Sequence, residues 1–381
     1  MRVKGYLKDL MGAFRVKKKR NQAYDAASDK DQAYDPINEV AKKLHPGKID
    51  LTVVDIKPAS KSSKMITFTS KHLPFFKAGQ FLTLQLAIGD SIVTRPYSIC
   101  SSKKETRKET PTVAITVKKL RKNGFVSDYL LNELKVGDTL VGEVGLGQFY
   151  YEPIRDSKNV IAIAGGSGIT PFVAMAKDII DYDKDYCITI LYGSVDMDDI
   201  LLKEELDNLN DQRIKVIHVL SGDNPSWKGE KGFIDKNIIQ KYMGEDPTFF
   251  ISGPKVMQDF LLNELKELNI PERRIRIEPS ASEIDKPNDK EYKILVKQGL
   301  YEQEIPAKGN ESILIALERA GYVTHSACRA GACGFCRIKV LSGSYYVVAN
   351  EDGRRATDKQ FNYVHSCSTY PTSDLVIKVN I

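Results

Sequence analysis

Cys328-Arg-Ala-Gly-Ala-Cys333-Gly-Phe-Cys336, with Cys367 further along the chain, is the stretch that decides the carboxyl-terminal fold. The pattern C-x4-C-x2-C with a distant fourth cysteine is the ligand spacing of a plant-type [2Fe-2S] centre, in which each iron is held by two thiolates. Small residues between the ligands let backbone N–H groups approach the sulfides. The sequence therefore predicts a [2Fe-2S] cluster on Cys328, Cys333, Cys336 and Cys367, with one-electron transfer as its chemistry.

Two other uses of these cysteines compete with a cluster. Structural zinc favours two separated C-x2-C pairs, and only Cys333 and Cys336 have that spacing. Disulfides are not expected, because the first twenty residues are rich in Lys and Arg, lack an apolar core segment and do not resemble a secretory signal. The remaining cysteines, Cys100 and Cys187, are expected to be small buried hydrophobic residues.

The composition is that of an ordinary globular protein with two or three domains. The chain has 381 residues, of which 42% are hydrophobic and 28% charged. No apolar run approaches the roughly 18 residues that a membrane span needs. The net charge is +6, and residues 1–20 hold eight Lys or Arg against one Asp, so the rest of the chain is near neutral. We therefore expect a soluble cytoplasmic protein that does not bind nucleic acid.

Residues 1–48 form a basic amino-terminal extension. Apolar residues from Val3 to Phe14 recur at helical spacing, with Lys and Arg between them. This pattern fits a helix that docks on a membrane surface or an acidic partner, and it also fits a terminal helix that packs on its own protein. A single short stripe is weak evidence for docking, so the second interpretation is favoured.

The pattern of the chain then changes twice. Residues 49–152 contain short β runs separated by turn residues, which predict a small antiparallel β-barrel. In residues 153–284, β runs alternate with helical patterns at 171–181, 199–209, 235–242 and 254–268, which predicts a doubly wound parallel α/β sheet. Beyond a polar linker, residues 285–381 predict an α+β (β-grasp) domain whose helix 312–320 is stopped by Gly321.

Two motifs in the barrel region predict a flavin site. Arg95-Pro96-Tyr97-Ser98 ends a strand, where the Arg suits a phosphate, the Tyr offers a flat face to an isoalloxazine ring and the Ser can reach its N5 region. Gly124 and Ser127 open a helical segment whose free N–H groups suit a phosphate. Each motif alone also fits a plain strand end or a strand–turn–helix, and the two together in this order favour flavin.

A third motif follows the first strand of the α/β region. Gly165-Gly166-Ser167-Gly168-Ile-Thr170-Pro171 matches G-x-G-x-x-P, in which glycines admit a pyrophosphate, Thr170 can cap the helix and Pro171 is tolerated in its first turn. It departs from the dinucleotide pattern G-x-G-x-x-G in ending with Pro. A Gly-rich turn between strand and helix is common in α/β folds, so by itself the motif does not decide between nucleotide binding and a plain turn.

The order of all these motifs resembles the ferredoxin-NADP reductase superfamily. RPYS, G-x-x-S, GGSGITP, Tyr192-Gly193-Ser194 and Ser252-Gly253-Pro254 occur in its order. With a plant-type ferredoxin domain last, residues 49–381 resemble the flavin and iron–sulfur reductases that serve hybrid-cluster protein, phenylacetyl-CoA epoxidase and ketosteroid hydroxylase. The resemblance implies flavin contacts for Arg95, Pro96, Tyr97, Ser98, Gly124 and Ser127. It implies nicotinamide-nucleotide contacts for Gly165, Gly166, Ser167, Gly168, Thr170, Pro171, Tyr192, Gly193, Ser194, Ser252, Gly253 and Pro254.

The chain departs from this family in three places. Ser252 stands where the family often has Cys, and Val195 follows the Tyr-Gly-Ser segment where an Arg is common. The family also commonly places an aromatic residue near the flavin after the last strand of the nucleotide domain. Here Glu278 follows that strand, so the sequence does not say which residue covers the ring.

The sequence and the resemblance together predict an NAD(P)H-dependent reductase. They imply FAD, with FMN as the alternative, and electrons that pass from nicotinamide through flavin and cluster to a separate redox protein, either an oxygenase or a hybrid-cluster-type or other reductase. NADH is expected over NADPH, because Asp196, Asp198 and Asp199 would repel a 2′-phosphate, although NADPH stays open. No catalytic acid or base is identifiable. An electron-entry subunit of a stable complex and a [2Fe-2S] redox sensor are the alternative functions.

Overall fold

The computed structural model describes residues 11–12, 14–19, 47–119, 125–280, 288–348 and 352–379. It divides into two units, Met1–Gly47 and Lys48–Ile381. In the first unit residues 14–19 are helical, and the side chains of Met11, Phe14 and Val16 are exposed. The rest of the predicted amphipathic stretch lies outside the described residues. Among the described residues, no helix is long and apolar enough to cross a membrane.

The second unit begins with an antiparallel barrel. Its elements are β1 (Lys48–Ser60), β2 (Ser63–Thr69), β3 (Phe81–Ile88), β4 (Ser91–Ser98), β5 (Thr112–Lys118), α1 (Phe125–Asn132) and β6 (Thr139–Leu146). The strands lie in the order β4-β3-β6-β1-β2-β5, and a bridge between Ile99 and Ile115 brings the two ends of this sheet together. Alternating residues of the strands fill the interior, where Leu51, Phe68 and Leu82 are fully buried.

The next sheet is parallel, with helices between its strands. Its elements are β7 (Asn159–Gly165), α2 (Thr170–Tyr182), β8 (Cys187–Ser194), α3 (Lys203–Asp207), β9 (Ile214–Leu220), β10 (Glu230–Lys231), α4 (Lys236–Tyr242), β11 (Thr248–Ser252), α5 (Lys255–Glu267) and β12 (Ile275–Ile277). The strand order is β10-β9-β8-β7-β11-β12, so β8, β9 and β10 lie on one side of β7 and β11 and β12 on the other. The place beside β7 where the chain changes sides is the topological switch point of a doubly wound sheet. Parallel strands covered on both faces are continuously apolar, as β7 is.

The third domain carries the cluster loop. Its elements are β13 (Glu291–Gln298), β14 (Tyr301–Lys308), α6 (Ile313–Arg319), β15 (Arg337–Ser342), β16 (Tyr345–Val347), α7 (Ala356–Gln360), β17 (Tyr363–His365), β18 (Thr369–Pro371) and β19 (Leu375–Lys378). A mixed sheet, β14-β13-β19-β15-β17, packs against α6. Gly321, at φ +82°, follows α6 in the left-handed conformation, where the predicted stop lies.

The predicted fold class is confirmed, and two local predictions are wrong. Cys187 is exposed, because it opens β8 at the amino edge of the sheet, where the helices do not cover it. The helix predicted over 199–209 is reduced to α3, since a 3₁₀ turn at Met197–Asp199 precedes it. The domain boundaries stay predictions, and residues 281–287 of the linker lie outside the described residues.

Asp199 joins the nucleotide domain to the barrel. Its carboxylate accepts hydrogen bonds from Ser60 Oγ at 2.5 Å and Ser62 Oγ at 2.8 Å, and pairs with Lys118 Nζ at 2.7 Å. Burial of the carboxyl acts in the opposite direction, but these hydrogen bonds from Lys118, Ser60 and Ser62 lower the pKa of Asp199 from its ordinary 3.8 to about 2. Asp199 is therefore paired within the protein. Contrary to the sequence-based expectation, it is not one of the unpaired charges that would repel a 2′-phosphate.

Replacing Asp199 with Asn is expected to lower the free energy of unfolding by about 1–2 kcal/mol at pH 7, after discounting for partial exposure. Because the folded-state pKa is depressed, the stabilisation is present above pH 3.8 and is lost as pH falls through about 2. Urea unfolding at pH 7 measures the loss. Asp198→Asn, one residue away and exposed, is the control; equal stability losses for the two variants would contradict the role of Asp199.

Candidate active site and cluster-binding loop

A cavity of about 830 Å³ opens where the three domains of the second unit meet. The barrel contributes the ends of β3, β4 and β5 and the segment after β6, and the nucleotide domain contributes the turns after β7, β11 and β12. The ferredoxin domain contributes the loop that carries the predicted iron ligands. Predicted site residues that line the cavity are Pro96, Tyr97, Ser98, Ser127, Ser167, Gly168, Thr170, Ser252, Gly253, Cys328 and Cys333.

The flavin motif lies at the mouth of the barrel. Tyr97 and Ser98 end β4 and face the cavity, and Ser127 lines it from α1. Burial raises the pKa of Tyr97 to about 12, as expected for a ring in an apolar site. Arg95 does not line the cavity; its Nη1 donates to Thr94 O at 3.0 Å and lies 3.4 Å from Glu318 Oε2. Gly124 lies outside the described residues.

Packing requires glycine in the turn after β7. A Cβ on Gly168 would lie 2.1 Å from the carbonyl oxygen of Ser252, so this turn must approach β11 without a side chain. Gly166 has φ +54°, which favours glycine. The prediction that Thr170 caps the helix is wrong: Ile169 is the N-cap, and Thr170 Oγ1 donates to Ser167 O at 2.8 Å.

Other residues of the nucleotide motifs stand behind the cavity and do not line it. The fully buried Tyr192 donates its hydroxyl hydrogen to Gly166 O at 3.1 Å and accepts from Leu201 N at 3.1 Å, so it braces the glycine turn. The residues of these motifs outside the cavity wall are Gly165, Gly166, Pro171, Tyr192, Gly193, Ser194 and Pro254.

Glu278 is a site residue that the motifs did not predict. It follows β12, where the family commonly has an aromatic residue, and its carboxylate bridges the flavin and nucleotide motifs. Ser98 Oγ donates to Glu278 Oε1 at 2.5 Å, and Ser252 Oγ donates to Oε2. Burial raises the pKa of Glu278, although the hydrogen bonds from Ser252 and Ser98 oppose the shift. The sequence signal for this residue was its departure from the family, which commonly has an aromatic ring where this chain has a carboxylate.

The four predicted iron ligands lie together in two pairs. Cys336 Sγ lies 3.3 Å from Cys367 Sγ, and Cys333 N donates to Cys328 Sγ at 3.3 Å. Two pairs fit two irons that each take two thiolates.

The loop around these cysteines supplies backbone donors to sulfur. Gly331 N donates to Cys367 Sγ at 3.2 Å, and Ala330 N lies 3.5 Å from Cys328 Sγ. His365, a histidine for which the sequence indicated no role, hydrogen bonds through Nδ1 to Gly331 O at 2.5 Å and holds the loop from behind. This donor set fits a [2Fe-2S] cluster, whose electronics depend on such hydrogen bonds.

Comparison with protein families finds three matching domains in the order of the three sheets. Residues 50–151 match an oxidoreductase FAD-binding domain, residues 162–262 an oxidoreductase NAD-binding domain, and residues 296–372 a 2Fe-2S iron-sulfur cluster binding domain. The flavin, nucleotide and cluster sites predicted from the sequence lie in these three segments.

The chain is also similar to individual proteins. The chain is 29% identical over 350 residues to a subunit of the 1,2-phenylacetyl-CoA epoxidase of Escherichia coli, covering 86% of this chain and 96% of that protein. It is 30% identical over 230 residues to NADH-cytochrome b5 reductase 2 of Scheffersomyces stipitis, covering 57% of this chain and 75% of that protein. The structure of phthalate dioxygenase reductase superimposes with a TM-score of 0.65 at 21% identity, covering 88% and 98% of the two chains, which shows a shared fold.

Proposed function

Because this chain belongs to the ferredoxin-NADP reductase superfamily, as an NAD(P)H-dependent flavin and iron–sulfur oxidoreductase, we propose that it is the reductase component of a multicomponent system. Its role is to pass electrons from a nicotinamide nucleotide through FAD and a [2Fe-2S] cluster to a separate oxygenase. One observation carries the proposal: Tyr97, Ser252 and Cys328, from three different domains, line one cavity.

The cavity residues would divide the work of holding FAD and the nucleotide. Tyr97 and Ser98 would hold the flavin ring, with Ser127 at the phosphate side; Arg95, which lies outside the cavity wall, would reach the phosphate only by turning away from Glu318. The turn around Gly168 would hold the nucleotide, with Ser252 and Glu278 beside the nicotinamide. When bound, the flavin supplies the conversion of a hydride into single electrons, which no side chain can perform. The protein's own part is to position the groups and to exclude water.

The acceptor is proposed to be a separate protein, because the relatives are named as a subunit of an epoxidase and as the reductase of a dioxygenase. Crosslinking in native extract, followed by reconstitution with the captured protein, tests this. Reconstitution is expected to accelerate NADH oxidation in proportion to the partner added. Rates as high with a small molecule as sole acceptor would contradict the proposal. Releasing the flavin by heating the protein and then identifying it distinguishes FAD from FMN.

NADH is expected to exceed NADPH by about tenfold or more in kcat/KM, since one extra like charge within several ångströms costs about 1 kcal/mol or more. Asp196 and Asp198 follow β8, at the edge where nucleotides bind in doubly wound sheets. Lys203, which could offset them, pairs instead with Asp207.

Asp196→Asn removes one of these negative charges but keeps the N-cap of the 3₁₀ turn at Met197–Asp199. Asp196 Oδ1 accepts from Asp198 N at 3.0 Å, and an amide oxygen can do the same. The variant is expected to reduce the NADH preference several-fold. Asp185→Asn, at the opposite end of β8, is the matched control and should leave the preference unchanged. A preference for NADPH in the unmodified protein would show that its phosphate meets a cation elsewhere.

A further inference from the structure

The edge of the barrel sheet at Thr94 is covered by the ferredoxin domain. β4 is the last strand in the order of its sheet, so the outward backbone groups of Thr94 have no neighbouring strand. Thr94 N donates to Glu318 Oε1 at 3.3 Å, and Thr94 O accepts from Arg329 Nη1 at 3.0 Å. Both polar groups of this edge residue are therefore satisfied by side chains of another domain.

Glu318 is the centre of this contact. It lies on α6 with only 2% of its surface exposed, and its two carboxylate oxygens receive Arg329 Nη1 at 2.6 Å and Nη2 at 3.1 Å. The second oxygen also faces Arg95 Nη1 at 3.4 Å. A buried carboxylate between two guanidinium groups is fixed in place by charge-assisted hydrogen bonds on both sides.

The groups that Glu318 binds lead directly to the two redox sites. Arg329 follows Cys328, whose side chain lines the cavity, and its backbone is held at φ +55° in the left-handed region. On the other side, Thr94 and Arg95 precede Tyr97 and Ser98 on the same strand. One carboxylate thus connects the strand proposed to hold the flavin with the loop proposed to hold the cluster, within a few residues of each.

We propose that Glu318 is a positioning residue for electron transfer from the flavin site to the cluster. The inference rests on the proposed function, and it adds that the ferredoxin domain is held against β4 by the Glu318–Arg329 pair. Arg95 Nη1 also faces Glu318, so a side chain of the flavin motif takes part in this contact although it does not line the cavity. Loss of Glu318 leaves Arg95 and Arg329 facing each other without their common partner.

Stopped-flow mixing with NADH separates the two steps in Glu318→Gln. Flavin bleaching is expected to keep its rate within about twofold, whereas cluster reduction slows at least about tenfold, because the loop that carries Cys328 loses the carboxylate that holds it against β4. The midpoint potential and spectrum of the cluster should not change. Glu311→Gln, which removes a carboxylate paired with Arg319 in the same domain, is the matched control and should behave as the unmodified protein.

Hydrogen exchange provides a readout that needs no turnover. The Thr94 amide is expected to exchange about tenfold faster in Glu318→Gln, while amides of β4 that pair with β3 keep their protection. Unchanged cluster reduction and unchanged Thr94 exchange would overturn the inference, as would equal slowing in Glu311→Gln. If Glu318→Gln fails to hold a cluster, Glu318→Asp takes its place. Its cluster is expected to be reduced more slowly than that of the unmodified protein, and an unchanged rate of cluster reduction would overturn the inference. Failure of the proposed function would instead appear as no cluster reduction in the unmodified chain.

Discussion

Cys333→Ser is expected to remove the iron–sulfur absorbance and to lower NADH-dependent reduction of cytochrome c or a protein partner at least about 100-fold, since loss of groups that only support metal ligands already costs about 10–100-fold. Flavin reduction by NADH should remain, because Tyr97, Ser98 and Ser252 are untouched. The unmodified protein should contain about two irons per chain.

Iron analysis, visible absorbance and ferricyanide reduction measure these outcomes separately. Cys187→Ser is the matched control, because Cys187 is an exposed cysteine in a different domain from the cluster loop and should not affect iron content. Zinc in place of iron in the unmodified protein, or full cytochrome c reduction without the iron–sulfur bands, would refute the assignment of the loop.

Glu278→Gln is expected to lower kcat/KM for NADH about tenfold or more, because a hydrogen bond to a charged group contributes about 1.5–3 kcal/mol. The carboxylate accepts from Ser98 and from Ser252, and an amide can accept at only one end. Since burial raises the pKa of Glu278 above its ordinary 4.5, activity of the unmodified protein should rise with pH through that higher value. The activity of Glu278→Gln should be low and should not show this rise with pH.

The stability of Glu278→Gln should not fall together with its activity, which separates the loss of activity from simple misfolding. A carboxyl with a raised folded-state pKa stabilises the fold fully below pH 4.5, and this contribution is lost as pH rises through the folded value. Glu278→Gln should therefore be as stable as or more stable than the unmodified protein at pH 8, by thermal unfolding. Glu272→Gln, an exposed residue before β12, is the control. Loss of stability at pH 8 together with unchanged activity would contradict the assignment.

The motifs that could be read from the sequence are those in which residues close in the chain act together. C-x4-C-x2-C places three thiolates on one loop, and the Gly-rich turn after β7 is a local strand-to-helix connection, so spacing alone indicated both. Cys187 was placed wrongly because apolar neighbours in the chain do not show where the helix layers end. Thr170 was placed wrongly as a cap because the choice between capping and bonding to Ser167 O depends on how the turn meets β11.

The sequence by itself determined the three kinds of fold and indicated the cysteines of the cluster loop, since periodicity and short spacings are local properties of the chain. Only the tertiary structure decided that Ser98, Ser252 and Glu278 share hydrogen bonds, and that Glu318 connects Thr94 to Arg329. These residues are separated by up to 235 positions along the chain. Contacts across such separations arise from how whole domains pack, and a single sequence carries no spacing rule that relates them.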